Sequence, residues 1–478
     1  MKRTFVISVI IVFSRLFLFS QDFSYDKKIG AEAAEQVESM MGLYNDSSLN
    51  AYVNSVGGRL VNVLGDVPVD FQFHVVDVSE PNAFALPGGY IYVTRGVLNL
   101  VNDESELACV IGHEMIHVTK RHSVKQMKKG ILPGLLSIPG AIIGMANENL
   151  GRIINTPLAM GSQIYLSSYS RGQEKEADRY GVKLASQAGY DPNKLAIILD
   201  NLSKEVERVT GEKEKRSYLA SHPYTPKREA YLAKEIEKLE WNSKPSIADN
   251  KETLYGKLDG MYFGENPQQG VFDDNVFKQP DMNFAIAFPK TWETQNIPVA
   301  VGAAQPGGEA QIVFRLDDPD NDPDSLGLAF AEYIKKNYKL NPKESKSLTI
   351  NGNPAYLVSI QDNSGSKPVE VQVYWLKTDS LMFNIMGMSY LQYSDTITQI
   401  VHSVRSLTND EKSGITGLKI RVAKAKENET IEEFSSRTNN HWDAETTILM
   451  NGLQSDEKLK SGQVLKIAVE EPYFSKDN

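Results

Sequence analysis

The sequence holds one cysteine among 478 residues, Cys109, so no disulfide can close within the chain and its stability must come from packed cores. Cys109 lies in the apolar run Leu107, Ala108, Cys109, Val110 and Ile111, the setting of a buried inert thiol and not of a nucleophile. An excess of positive charge is also missing. The formal net charge is -10 and the pI is near 5.4, which excludes a general nucleic-acid binder, because that role needs a basic surface to displace counterions from phosphates.

Long unbroken hydrophobic runs are lacking too. Residues 5–19 are apolar except for Ser8, Ser14 and Arg15, and they follow Met1, Lys2 and Arg3. The run is short for a bilayer span, and an arginine inside it is costly at membrane depth, so residues 1–21 read as a secretory signal peptide cleaved near Ser20 or Gln21. No cysteine ends the run to carry a lipid anchor. A second apolar stretch, residues 131–145, is broken by Pro133, Pro139 and three glycines and is too short to span. It reads as a lid or loop packed over a cleft, with membrane contact peripheral at most.

What is present supports more than one core, since 41% of the residues are hydrophobic and 23% charged. The expected fold class is α+β and multidomain. Residues 22–240 carry mostly helical three-and-four spacing with a β-rich stretch at 71–93, and form the first domain. Residues 241–259, with Asn242, Ser243, Lys244, Pro245 and Ser246, read as a linker. Residues 260–408 have strand-like runs at 284–288, 311–315, 355–360 and 369–375 around a helical 326–338, an α+β domain. Residues 417–471 begin and end with a strand and are helical between, a small βααβ module.

The string that carries chemistry is His113, Glu114, Met115, Ile116, His117, set in an apolar-periodic helix from about residue 104. Residues four apart share a helix face, so both imidazoles can hold one ion while Glu114 stands beside it as general base. A catalytic zinc needs a third protein ligand and an open position for water. Glu174 is the candidate, because it lies on a second predicted helix with Asp178 four residues on, where Asp178 can fix a ligating imidazole by a hydrogen bond. The other reading of these acidic residues is a solvated charged face.

At these residues the chain resembles the gluzincin metallopeptidase family of the CAAX prenyl proteases, the HtpX proteases and the BepA-like periplasmic proteases. The resemblance covers residues 31–239 and rests on Asn82-Ala83-Phe84-Ala85-Leu86-Pro87-Gly88-Gly89, the HExxH string, Ser170-Arg171 with residues 174–181, and Ser221-His222-Pro223 with Arg228. It implies zinc, one ion per chain, on His113, His117 and Glu174, with Glu114 as catalytic base and Asp178 behind the ligands. It implies an exported endopeptidase of the periplasm or cell envelope, acting in protein quality control on a polypeptide substrate. The stretch Gly88 to Val93, with Gly89, Tyr90, Ile91 and Tyr92, resembles the edge strand on which family members hold extended substrate.

His222 has two functional readings, as an oxyanion donor in the transition state or as a fourth ligand closing the site, beside the plain reading of a loop histidine satisfied by backbone. The resemblance to BepA-like proteases implies the second, a latch. Arg228 has three readings, a partner for a carboxylate, a substrate donor with a regulatory role, or an exposed helix arginine. His74, His122, His402 and His441 read as structural or surface residues. Residues 277–292 resemble the start of PsbP-like domains, and residues 451–467 resemble the second half of a LysM module, implying contact with peptidoglycan or an envelope protein. Asn428-Glu429 departs from the Gly-Asp usual in LysM. The rival to an enzyme is a zinc-binding chaperone-like or scaffolding protein of the envelope, against which Glu114 counts, because a structural metal needs no base.

Overall fold

The computed structural model describes residues 23–128, 134–135, 165–166, 169–211, 222, 226–365, 367–454 and 458–475. The signal-peptide expectation for residues 1–21 lies outside these, as does the apolar stretch 131–145 except for residues 134–135.

The first half of the chain runs α1 (Ser24–Met41), α2 (Ser47–Leu64), β1 (Gln72–Val76), β2 (Ala83–Ala85), β3 (Tyr90–Thr94), α3 (Arg95–Leu100), α4 (Glu104–Thr119), α5 (His122–Lys128), β4 (Gly134–Leu135), β5 (Tyr165–Leu166), α6 (Arg171–Ala188), α7 (Lys194–Thr210), α8 (Pro226–Ile236) and α9 (Lys251–Leu258). Side chains fix where α4 and α6 begin. Asp103 caps α4 by accepting from Ser105 N, and Ser170 with Gln173 forms a reciprocal capping box on α6, so each helix begins where its orphan N–H groups find side-chain acceptors.

The sheet order is β1-β3-β2, with β1 parallel to β3 and β2 antiparallel to it. This corrects the expectation that residues 88–93 form an edge. Tyr92 packs under α1 while Ile91 and Val93 enter the main core, and a strand buried on both faces takes the central place. The edge is β2.

The main core joins α2, α4, α6 and α7 to the sheet and includes Leu254, Tyr255 and Leu258 of α9. Residues 251–258, inside the stretch read as a linker, thus form a helix with an apolar face that the polar residues before it concealed.

The chain continues as β6 (Tyr262–Phe263), β7 (Val271–Asp273), β8 (Val276–Gln279), β9 (Phe284–Ala287), β10 (Glu293–Ile297), β11 (Ala300–Ala304), β12 (Ala310–Asp317), α10 (Pro323–Tyr338), β13 (Glu344–Ile350), β14 (Asn353–Asp362), β15 (Val369–Lys377), β16 (Met382–Tyr390) and α11 (Ser394–His402). Strands β10-β11-β12-β16-β15-β14-β13 make an antiparallel seven-stranded sheet. Ile334 of α10 packs on one face with Tyr356, Val371 and Trp375. Ile397, Ile400 and Val401 of α11 pack on the other with Phe314 and Ile385. Covering on both faces explains why β14 and β15 are buried along almost their whole length, even at Glu370 and Gln372, which alternate with valines in β15.

After α12 (Asn409–Ser413) come β17 (Thr416–Lys424), α13 (Ile431–Thr438), α14 (Ala444–Asn451) and β18 (Val464–Pro472). The strands pair antiparallel and β6 extends their sheet. Trp442, Leu449 and Met450 enter the first-half core, and buried Lys466 donates from Nζ to Asn99 O at 2.7 Å and Val101 O at 2.8 Å. The architecture is α+β and multidomain. Among the described residues no helix is long and apolar enough to cross a membrane.

Candidate metal centre

Helices α4 and α6 carry most of the site, and they pack against each other closely. On α4, His113 and His117 stand one turn apart with Glu114 between them, and all three are buried. On α6, Glu174 and Asp178 are buried as well. His222 arrives from the segment before α8, and Arg228 from α8 itself.

These residues meet. One ligand-type atom each from His113, His117, Glu174 and His222 lie within 4.8 Å of one another. His113 Nε2 is 3.0 Å from His117 Nε2 and 3.2 Å from His222 Nδ1. Glu174 Oε1 is 3.0 Å from His222 Nδ1 and 3.5 Å from His117 Nε2, and Glu174 Oε2 is 3.7 Å from His113 Nε2. A tetrahedral zinc with bonds of about 2.0–2.1 Å has donor-to-donor edges of about 3.3 Å, so this set fits one such ion.

The electrostatics favour ligation. Burial lowers the basicity of His113, and lowers that of His117 and His222 well below the ordinary value, aided at His117 by the neighbouring imidazoles and at His222 by Arg228. Three neutral rings with lone pairs are what a cation needs. Burial also pushes Glu174 up to about 7, the strain of a carboxylate enclosed with little but imidazole and one arginine around it.

Behind the donors, His113 Nδ1 lies 3.1 Å from Asp178 Oδ1. Burial alone would raise the Asp178 carboxyl, but Arg228 and the His113 hydrogen bond hold it down at about 2. Arg228 grips both Asp178 oxygens at 2.8 Å and donates to His222 O at 2.9 Å, so it is a buried clasp and not an exposed helix arginine. Its Nη1 also stands 3.2 Å from Glu174 Oε2.

Residues 47–236 match peptidase family M48. They form an M48 peptidase domain. The chain is 28% identical over 244 residues to the beta-barrel assembly-enhancing protease of Escherichia coli (strain K12), covering 50% of this chain and 49% of that protein. It is 31% identical over 192 residues to the protein of the same name from Yersinia pestis, covering 39% of each. The mitochondrial metalloendopeptidase OMA1 of Schizosaccharomyces pombe (strain 972 / ATCC 24843) is 28% identical over 211 residues, 43% of this chain and 59% of that one. The chain spans about half the length of the Escherichia coli relative. The solution structure of cyanobacterial PsbP from Synechocystis sp. PCC 6803 covers 30% of this chain and 98% of that one at 9% identity, with a TM-score of 0.23, too low to carry an argument.

Two rings of the M48 domain's site escaped the sequence reading. Tyr169 stacks on His117 with ring centroids 3.7 Å apart, and its hydroxyl is 2.9 Å from Ser123 Oγ. His122, read as structural or surface, is buried with Nδ1 3.0 Å from His117 Nδ1 and Nε2 3.2 Å from Glu176 Oε2. Five residues is no helical spacing, so nothing in the sequence linked His122 to His117. His74 instead stacks on Tyr92, away from the donor cluster, with ring centroids 5.3 Å apart.

β3, which holds Tyr90, Ile91 and Tyr92 and follows Gly89, is paired on both sides and so is not an open edge. Among the described residues only β3 pairs with β2. Thr94 N bonds Asn82 O and Leu86 N bonds Tyr90 O, so the alternation turns the backbone groups of Ala83 and Ala85 away from β3. Ala85, Leu86 and Pro87 share a crevice with His117 and Arg121.

Proposed function

We propose that this chain is an exported zinc metalloendopeptidase of the periplasm or cell envelope that hydrolyses peptide bonds in unfolded or misassembled proteins. The observation that carries the reading is the convergence of four buried donors beside a buried carboxylate, Glu114, whose Oε1 is 3.5 Å from His222 Nε2. His113, His117 and Glu174 hold one zinc ion. Zinc, when bound, lowers the pKa of a water from about 15.7 towards about 7 and polarises a peptide carbonyl. Glu114 accepts the water's proton and delivers it to the leaving amine. Asp178 holds the His113 ring, and Arg228 holds Asp178 and the His222 backbone.

His222 acts as a latch. Its Nδ1 stands where a fourth tetrahedral ligand would, and a site closed by four protein donors has no room for water. The His222 ring must therefore leave that position for turnover. Extended substrate adds along β2, beside the crevice that Ala85, Leu86 and Pro87 share with His117. The names of the bacterial relatives, which refer to β-barrel assembly, support a role in envelope protein quality control.

In the end module, the strand-helix-helix-strand order supports a LysM-like reading and contact with peptidoglycan. Glu429, however, is engaged by Arg437 at 2.6 and 2.7 Å, so recognition of glycan would fall to other residues. Cosedimentation with purified cell wall tests that contact. The seven-stranded domain is read as a PsbP-like docking unit for a protein partner.

The central test is casein-type proteolysis with and without chelator, together with Glu114→Gln. The variant is expected to keep its zinc and lose turnover; full activity in Glu114→Gln would eliminate the mechanism and favour the chaperone-like or scaffolding rival.

A further inference from the structure

We propose that His122 and Glu176 orient the imidazole of His117, doing for that ring what Asp178 does for His113. The proposal rests on the reading of His117 as a zinc ligand. A histidine that binds metal through one nitrogen needs its other N–H held, or the ring is free to take the wrong tautomer and tilt. For His113 a carboxylate does this directly, at 3.1 Å. His117 Nδ1 has no carboxylate so close; it has His122 Nδ1 at 3.0 Å, and His122 Nε2 in turn has Glu176 Oε2 at 3.2 Å.

The chain of contacts admits one proton arrangement. Glu176 is an acceptor, so His122 must carry its proton on Nε2 and present a lone pair at Nδ1. His117 then donates from Nδ1, and its Nε2 lone pair is left facing His113, Glu174 and His222. The opposite arrangement would set the His122 Nε2 lone pair against a carboxylate and place a proton on His117 Nε2, 3.0 Å from His113 Nε2. Glu176 thus decides a tautomer two residues removed from it in the relay.

The backbone is built for this contact. Helix α4 ends at Thr119, and Arg121 takes φ 55, the left-handed region that an arginine seldom enters. That reversal folds α5 back so that the His122 ring meets the His117 ring edge-on, with centroids 4.9 Å apart at 76°. Asp26 of α1 holds Arg121 there through two hydrogen bonds, at 2.8 and 2.5 Å, from a buried carboxylate to a partly exposed guanidinium. Glu176 follows Glu174 by two residues on α6, which turns it off the donor face and towards the corner between α4 and α5. A strained residue, fixed by an ion pair to the buried Asp26 carboxylate, delivers one imidazole to another.

The experiment is zinc affinity by chelator competition, paired with the visible absorption of the cobalt-substituted protein, for the full chain and four variants. His122→Phe keeps the ring volume and removes both nitrogens; its zinc affinity should fall about 10- to 100-fold, with a shifted cobalt spectrum. His122→Asn sets an amide oxygen near the place of Nδ1 and should recover most of that loss. Glu176→Leu, at a partly exposed position, should weaken zinc in the same direction as His122→Phe, while Glu176→Gln, which can still accept from Nε2, should not. Wild-type affinity and spectrum in both His122→Phe and Glu176→Leu would overturn the proposal. If His122→Phe does not fold, Glu176→Leu alone decides it. A wild-type chain that binds no zinc would overturn the metal site itself, which is a different result from zinc bound equally well by every variant.

Discussion

Gly112 and Gly181 face each other where α4 crosses α6: a Cβ on Gly181 would lie 3.0 Å from both N and Cα of His113, and one on Gly112 would lie 3.2 Å from Gly181 O. Only two residues without side chains let these helices approach so closely. The approach brings Glu174, two turns before Gly181, level with the two α4 imidazoles.

Gly181→Ala should therefore force the helices apart. Overpacking of this kind costs about 1–3 kcal/mol, against which alanine's better helix propensity returns at most about 1 kcal/mol. Zinc affinity should fall with stability. Gly172→Ala on the same helix is the control, since its Cβ would meet only Ser170 Oγ at 4.0 Å and should be neutral or mildly stabilising. Thermal midpoints and chelator titration of both variants would check this.

Arg228→Met should strand Asp178 and Glu174 as buried carboxylates without their cation. Removing one partner from a buried ion pair costs on the order of 3–5 kcal/mol. Arg228→Lys should rescue little, because one ammonium cannot reproduce the two parallel bonds to Asp178. A lowered melting temperature with zinc lost on dialysis is the expected result; a variant as stable as the parent would contradict the clasp.

His222→Ala should raise proteolysis while weakening zinc, if His222 holds the fourth position closed. A fall in turnover of about 10²-fold with zinc retained would instead identify a transition-state donor. Initial rates on casein together with metal content distinguish the two.

Glu106 gives a pH prediction. Burial pushes its carboxyl up to about 7, although it accepts from Asn102 N at 2.7 Å. Between the unfolded value near 4.3 and about 7, the folded chain keeps a proton that the unfolded chain has released, so this group's contribution to stability falls as pH rises through that window and is flat above it. Glu106→Gln keeps an acceptor for Asn102 and removes the decline. The variant should be more stable than the parent at pH 8, by up to about 3 kcal/mol, and about equal at pH 4. An unfolding difference independent of pH would refute this.

Much of the site could be read along the chain because helical geometry is local. The four-residue interval from His113 to His117 puts two rings on one face whatever surrounds them, and the same interval joins Glu174 to Asp178. The strand runs at 355–360 and 369–375 were legible from β-branched and aromatic residues alone. Other features depended on partners far away in sequence. The apolar pattern of residues 88–93 fits an edge or a central strand equally well, and only pairing with β1 on one side and β2 on the other decided it. His122 sits at an interval without helical meaning, and it reaches His117 only because Arg121 reverses the backbone and Asp26 holds it. The sequence by itself determined which side chains can bind an ion, through residue type and helical period. The tertiary structure decided which of them meet and what orients them, because crossing angles, strand order and a left-handed turn are set by packing between segments that no local pattern relates.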